Sequence, residues 1–310
     1  MSRRIDIMLL AIVVLLTAGM IYLFINQRET KKEKVPLAVT DSMTFVEGMN
    51  YAMPVPIPDS VNFAGEPVPM NIFYVREQLD RELTVNTYWH SSTLLSLKRA
   101  SRWFPVIEPI LAKNGIPKDF KYLALAESGL MNVVSPAGAT GFWQFLEKTG
   151  KECGLIINRE IDERYDVAKS TEAACAYLKE SYIKFGNWTL VASSYNAGEG
   201  RIDETIDKQL VRSYYDMLLP DETSRYIFRI LALKSIFENP IRYGFKLAPG
   251  DLYPPIGIKT LKVKESIDDL ASFARQQKTT YRMLKELNPW LRSDKLTVRR
   301  GEEYSIALPI

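Results

Sequence analysis

The chain has 310 residues, a formal net charge of +3, 46% apolar residues, one histidine and two cysteines. That length suggests about two domains, and the apolar share is ample for a packed core. Lys and Arg spread evenly through the chain exclude a basic nucleic-acid-binding face. A lone histidine, His90, excludes a histidine-based zinc site or a Ser-His triad.

The chain opens on a membrane signal. Ile7 to Ile25 carries no charge, and as a helix rising ~1.5 Å per residue it reaches roughly across a bilayer core. With no small-x-small site before Arg28, an uncleaved anchor fits better than a cleaved signal peptide. Residues 1–26 are therefore predicted to be an N-terminal anchor or signal. Residues 27–70 follow as a Pro-rich tether, with the charged run Arg28–Lys34 and then Pro36, Pro54, Pro56, Pro58, Pro67 and Pro69. Prolines at this density favour extended backbone without a core, although Val61 to Met70 also reads as an arm packed on the domain.

Helices dominate next. Ile72–Leu83 and Thr93–Ala100 are predicted as short helices, and Phe104, Ile107, Ile110 and Leu111 mark another that Gly115 closes. Pro117 opens the next helix, which is apolar nearly all round from Phe120 to Ala126, as a core helix is. Glu127 follows Phe120, Leu123 and Ala124 at the spacing of one face, just before Gly129 lets the chain turn. Burial and the negative end of the helix dipole both raise the pKa of a carboxyl placed there, which suits a general acid. The plainer reading is a glutamate that surfaces at a helix end.

A Gly-rich loop runs from Ser135 to Gly141, and a helix is predicted to open at Phe142-Trp143-Gln144 and end near Gly154. Val167, Thr171, Ala174, Leu178, Tyr182 and Phe185 repeat at helical steps up to Gly186, a C-terminal stop. Asn187 then caps a helix presenting Trp188, Val191, Ala192 and Tyr195. A long helix carries Tyr226, Ile230, Leu233 and Phe237 and ends at Pro240, where a second linker begins and runs to Pro255. Beyond it Leu261–Val263 and Tyr304–Leu308 alternate as strands, with helical patterns at Ile267–Arg275 and Tyr281–Leu287 between them. Cys153 and Cys175 could form one disulfide between adjacent helices or remain two buried thiols.

The pattern Glu127-Ser128, then Ser135-x-x-Gly138-Ala139-x-Gly141-x-x-Gln144, resembles the signature of the lysozyme-like (SLT) lytic transglycosylases that cleave peptidoglycan. Ser194-Tyr195-Asn196-Ala197-Gly198 resembles their second motif, and Glu222-Thr223-Ser224-Arg225-Tyr226-Ile227 their last. Phe-Trp-Gln-Phe at 142–145 is closer to the membrane-bound D type of that family. Three motifs in order are far more specific than one. The βααβ order at 258–310 is similar to a LysM module, with Leu284–Pro289 its best match. Glu265-Ser266-Ile267 replaces the usual Gly-Asp-Thr loop, so a glycan reader and a structural remnant both stand.

The resemblance implies a mainly α protein, with a lysozyme-like all-helical catalytic domain at 71–245 and a small α+β LysM-like module at 258–310. It implies a lytic transglycosylase in which Glu127 is the single acid and base and the N-acetyl group of the substrate assists, leaving a 1,6-anhydro-muramic end. Ser128, Gln144, Tyr195, Asn196 and Tyr226 are then the substrate-binding or supporting residues: Asn196 for the N-acetyl amide, Tyr195 beneath it, Tyr226 as a hydroxyl donor, and Ser128 and Gln144 for sugar or backbone contacts. Gly138 and Gly141 would let backbone approach the glycan. Neither a cofactor nor a metal is expected. The partners implied are glycan strands and the membrane, with the catalytic domain in the periplasm. Arg28, Lys31, Lys32 and Lys34 would by themselves favour the opposite topology; the substrate decides it. A hydrolytic muramidase of the same fold would need a second carboxylate, for which Glu147, Asp166 and Glu199 are the candidates. A non-catalytic wall-binding scaffold is the third reading.

Overall fold

A computed structural model describes residues 53–310. The apolar run Ile7–Ile25 and the first part of the Pro-rich stretch lie outside the described residues. Among the described residues, no helix is long and apolar enough to cross a membrane. The architecture is mainly α with a small α+β module at the C-terminal end, as the sequence implies.

Residues 53–70 form an arm packed on the helical core. It contains a small antiparallel hairpin, β1 (Asn62–Phe63) and β2 (Glu66–Pro67). Val55, Phe63 and Val68 are buried in the main core. The arm is held by polar anchors as well. Lys234 Nζ donates to Asp119 Oδ2 at 2.7 Å and to the Asn62 carbonyl at 2.9 Å, while the Ala64 amide donates to the same Asp119 oxygen at 2.8 Å. Over this part, the packed arm replaces the open tether, because the apolar residues between the prolines find a surface to bury against.

Helix α1 (Phe73–Tyr88) buries Val75, Leu79 and Leu83 and runs well past the predicted end at Leu83. Helix α2 is continuous from His90 to Lys113 and contains Pro105 and Pro109, where the sequence suggests two shorter helices. The two prolines sit one turn apart on the exposed side, so water can serve the carbonyls of Ser101 and Pro105 that they leave without an amide partner. On the opposite side Ile107 and Leu111 are fully buried, and that packing carries the helix through.

Helix α3 (Phe120–Ser128) starts three residues later than Pro117 and ends at Gly129 in the left-handed region, φ 60°. Helix α4 covers only Glu147–Glu152. The predicted opening at Phe142 is instead a turn, because Gly141 and Gln144 both have positive φ, 82° and 50°. The Thr140 amide donates across that turn to the Phe145 carbonyl at 3.0 Å.

Helix α5 (Val167–Phe185) ends at Gly186 as expected. Helix α6 (Trp188–Ala197) has Asn187 as its N-cap, accepting from the Leu190 amide. The first two amides of α6 are met from the arm. Glu66 Oε1 accepts from Trp188 N at 2.6 Å and Oε2 from Thr189 N at 2.9 Å, a negative charge at a positive helix end. Helix α7 (Glu199–Gln209), which the periodicity does not reveal, follows directly, and α8 (Asp221–Glu238) packs against α1, α3 and α6.

The expected linker at 240–255 is tied down too. Tyr243 and Phe245 join the core, and the Tyr253 amide donates to the Lys98 carbonyl at 3.3 Å. The C-terminal module pairs β3 (Ile258–Val263) antiparallel with β4 (Tyr304–Pro309), with α9 (Leu270–Gln276) and α10 (Tyr281–Leu287) between them. Its own core contains one residue from elsewhere, Ile161.

Candidate active site

Glu127 is placed by α3, a helix apolar through most of its length. Phe120, Tyr122, Leu123, Ala124 and Leu125 are all buried, so the last turn delivers a half-buried carboxyl at the point where Gly129 ends the helix. Across from it, α8 supplies Tyr226, whose side chain is 2% exposed. Its hydroxyl donates to Glu127 Oε1. Burial pushes the Glu127 carboxyl up to about 7; the Tyr226 hydrogen bond and the charge of Arg229 oppose the shift, and Glu222 adds to it. Burial also holds the Tyr226 hydroxyl well above its ordinary pKa, so it stays a donor. A protonatable carboxyl with a fixed hydroxyl donor is what general-acid chemistry near neutral pH requires.

The loop from Ser135 to Phe145 builds the wall beside it. Ser128 is buried, and its hydroxyl donates to the Phe142 carbonyl at 2.9 Å and accepts from the Leu130 amide at 3.1 Å. Of the two contacts the sequence suggests for Ser128, it makes the backbone one. Gln144 Nε2 donates to the carbonyls of Gly141 at 2.8 Å and Val133 at 3.1 Å, which stabilises its own left-handed backbone. Tyr195 donates to the Trp143 carbonyl at 2.7 Å, and its ring meets Tyr177 and Phe145 edge-on. Asn196 is half-buried one residue further along α6. Trp143 and Phe145 are core residues.

Gly141 has a different neighbour from the one expected of it. A Cβ there would lie 2.0 Å from the Arg164 carbonyl oxygen, so its close approach is to protein backbone. The candidate second carboxylates are engaged elsewhere. Glu147 pairs with Lys151 at 2.6 Å, and Asp166 caps α5 by accepting from the Lys169 amide at 3.0 Å. Glu199 accepts from Ser181 Oγ at 2.6 Å and lies 3.3 Å from Lys184. Cys153 and Cys175 are both free thiols.

Residues 105–217 match the model of the transglycosylase SLT domain. Over those residues the chain is similar to the SLT domain. Residues 259–310 match the soluble lytic transglycosylase C-terminal LysM-like domain, so the βααβ module is LysM-like as well. The membrane-bound lytic murein transglycosylase D of Escherichia coli strain K12 is 33% identical over 198 residues, covering 61% of this chain and 43% of that protein. Its counterpart in Escherichia coli O6:H1 matches to the same extent. The chain thus spans less than half the length of these curated relatives. A solved structure of an inactive mutant of the lytic transglycosylase Slt from Pseudomonas aeruginosa is 18% identical, covering 58% of this chain and 35% of that one with a TM-score of 0.36.

Four residues packed around this region, Glu82, Arg229, Asp162 and Arg164, escape the sequence reading. Glu82 on α1 is 1% exposed and meets Arg225 Nε at 2.7 Å and Arg229 Nε at 3.8 Å. Arg229 in turn acts on Glu127. Glu82 interrupts the buried row Val75, Leu79, Leu83, and that is the one signal in the sequence that could have marked it. Asp162 and Arg164 belong to the charged run Glu160-Ile161-Asp162-Glu163-Arg164, of which Asp162, Glu163 and Arg164 are all buried. A cavity of about 580 Å³ lies apart from Glu127, on the LysM-like module around Lys264–Asp269 and Phe273.

Proposed function

We propose that this protein is a peptidoglycan lytic transglycosylase in which Glu127 is the single acid and base. The supporting observation is the Glu127–Tyr226 pair, a carboxyl raised to about 7 beside a buried hydroxyl donor. Glu127 protonates the glycosidic oxygen leaving the muramic-acid unit. The substrate's N-acetyl group assists departure from its own sugar ring, and the half-buried Asn196 amide holds that group. Glu127, now a carboxylate, takes the proton from the C6 hydroxyl of the same sugar. That oxygen closes on the anomeric carbon, giving a 1,6-anhydro end with no water consumed. Tyr226 keeps its hydrogen bond to whichever state Glu127 is in.

Ser128 and Gln144 act on the backbone that shapes the cleft, and Tyr195 holds the Trp143 carbonyl beneath the Asn196 site. The parts are a helical catalytic body carrying Glu127 and a LysM-like module at 258–310. Through the apolar run Ile7–Ile25 the chain is membrane-anchored, with these parts on the side of the cell envelope where peptidoglycan lies. The engagement of Glu147, Asp166 and Glu199 with other partners favours this reading over the muramidase.

Mass spectrometry of peptidoglycan digested by the protein tests it, with Glu127→Gln alongside. Ends one water lighter than the reducing sugar, lost in the variant, are expected. Reducing ends would make the enzyme a muramidase, and full activity of Glu127→Gln would remove Glu127 from the chemistry.

A further inference from the structure

Arg164 is a charged residue only 8% exposed. Its guanidinium forks onto Asp162, with Nε 3.0 Å from Oδ1 and Nη2 2.7 Å from Oδ2. The remaining nitrogen, Nη1, donates to the carbonyls of Gly138 at 3.2 Å and Phe145 at 3.1 Å. Those two carbonyls bracket the Gly138–Phe145 part of the loop beside Glu127. The middle of the loop holds the site: the Phe142 carbonyl takes the Ser128 hydroxyl and the Trp143 carbonyl takes the Tyr195 hydroxyl. A buried cation is costly unless its donors are met, so this one is tied to a single loop conformation. Gly141, which can carry no side chain against the Arg164 carbonyl, presses the two segments together.

The other side of the same turn is seated on the LysM-like module. The Asp162 amide donates to the Trp290 carbonyl at 2.9 Å and the Arg292 amide to the Glu160 carbonyl at 2.7 Å. Ile161, 2% exposed, completes the module's core. The Glu160 carboxylate accepts from Thr297 N at 2.8 Å and lies 3.3 Å from Lys295. The Arg292 guanidinium covers the Tyr165 ring at 4.1 Å. The turn from Glu160 to Tyr165 is therefore gripped by the module on one side and grips the active-site loop on the other.

We propose that Arg164 is a positioning residue for cleavage. Seated by the C-terminal module through Asp162, it fixes both ends of the Gly138–Phe145 loop, and with them the alignment of Glu127 to the Tyr195–Asn196 pair. The module is then a brace of the catalytic site, whatever else it binds. This inference rests on the reading of Glu127 as the acid.

The test uses the full chain on solubilised glycan strands, with kcat and KM measured for wild type, Glu127→Gln and Arg164→Lys, and the folded fraction of each followed by circular dichroism. Lysine keeps the charge near Asp162 but cannot fork and reach both loop carbonyls. We expect kcat to fall about tenfold with KM nearly unchanged in folded protein, because small misalignments of a reacting group act on turnover. For Arg164→Ala, added guanidinium at millimolar concentration should restore part of kcat. A folded Arg164→Lys with wild-type kcat, or a loss that only tracks the folded fraction, overturns the proposal. An inactive wild type overturns the reading of Glu127 as well, whereas an active wild type beside an unimpaired Arg164→Lys overturns this inference alone. If Arg164→Lys does not fold, Asp162→Asn, which keeps the shape and removes the charge of the fork, is read against the same outcomes.

Discussion

The Tyr226 hydroxyl donates to Glu127 Oε1 across 99 positions of sequence, joining the end of α3 to the first turns of α8. That bond favours the charged form of Glu127, while burial favours the neutral one, and burial is the larger effect. The balance leaves a carboxyl that changes state near neutral pH.

Cleavage should therefore depend on pH in a defined direction. The acid form of Glu127 is needed for the first proton transfer, so turnover should fall as pH rises through about 7. A kcat profile on glycan strands checks this; a rate that stays flat from pH 5 to about 9 would deny Glu127 the role of acid.

Tyr226→Phe removes the hydrogen bond that lowers the Glu127 pKa. The descending limb of that profile should move upward, by about one pH unit or less, while the rate on the plateau falls. An unmoved limb would show that the hydroxyl does not act on Glu127 in solution.

Stability has its own pH dependence at Glu127. Its folded pKa is raised above the ordinary 4.5 to about 7, so the folded state holds the proton longer than the unfolded one. The contribution is full below the ordinary value and is lost as pH rises through about 7. Glu127→Gln removes that loss, and at pH 8 the variant should melt higher than wild type, by about 2–4 °C for each ~1 kcal/mol relieved. Equal melting temperatures at pH 8 would mean that the carboxyl is not desolvated as described.

Lys234→Met leaves Asp119 buried without its cation and releases the carbonyl of Asn62. The expected loss is about 3–5 kcal/mol, read by urea unfolding, with faster proteolysis within residues 53–70. Unchanged proteolysis would show that the arm is held by its apolar residues alone.

Gly141→Ala would set a methyl 2.0 Å from the Arg164 carbonyl oxygen at a backbone φ of 82°. A loss of about 3 kcal/mol or more is expected, together with a fall in kcat, since the same displacement moves the Trp143 carbonyl from Tyr195.

Much of the helical body was legible in the chain. The Gly129 and Gly186 stops, the Asn187 cap and the uniformly apolar Phe120–Ala126 stretch depend on a few adjacent residues, and they hold. The order β-α-α-β at the C-terminal end was legible for the same reason. Where neighbours in sequence did not decide, the reading failed. Nothing local tells that Pro105 and Pro109 face water within one helix, or that Phe142 starts a turn instead of a helix.

The sequence by itself determined a buried apolar helix that ends at Glu127 and Ser128 and is stopped by Gly129. Periodicity and capping act over a turn or two of chain, and that range suffices. Only the tertiary structure decided how Glu127 is tuned and held. Glu82 and Arg229 converge from separate helices, and Asp162 and Arg164 are buried between a loop and a module more than a hundred residues further along. A charged side chain is stable inside a protein only when distant segments supply its partners, and no local pattern in the chain records which segments those will be.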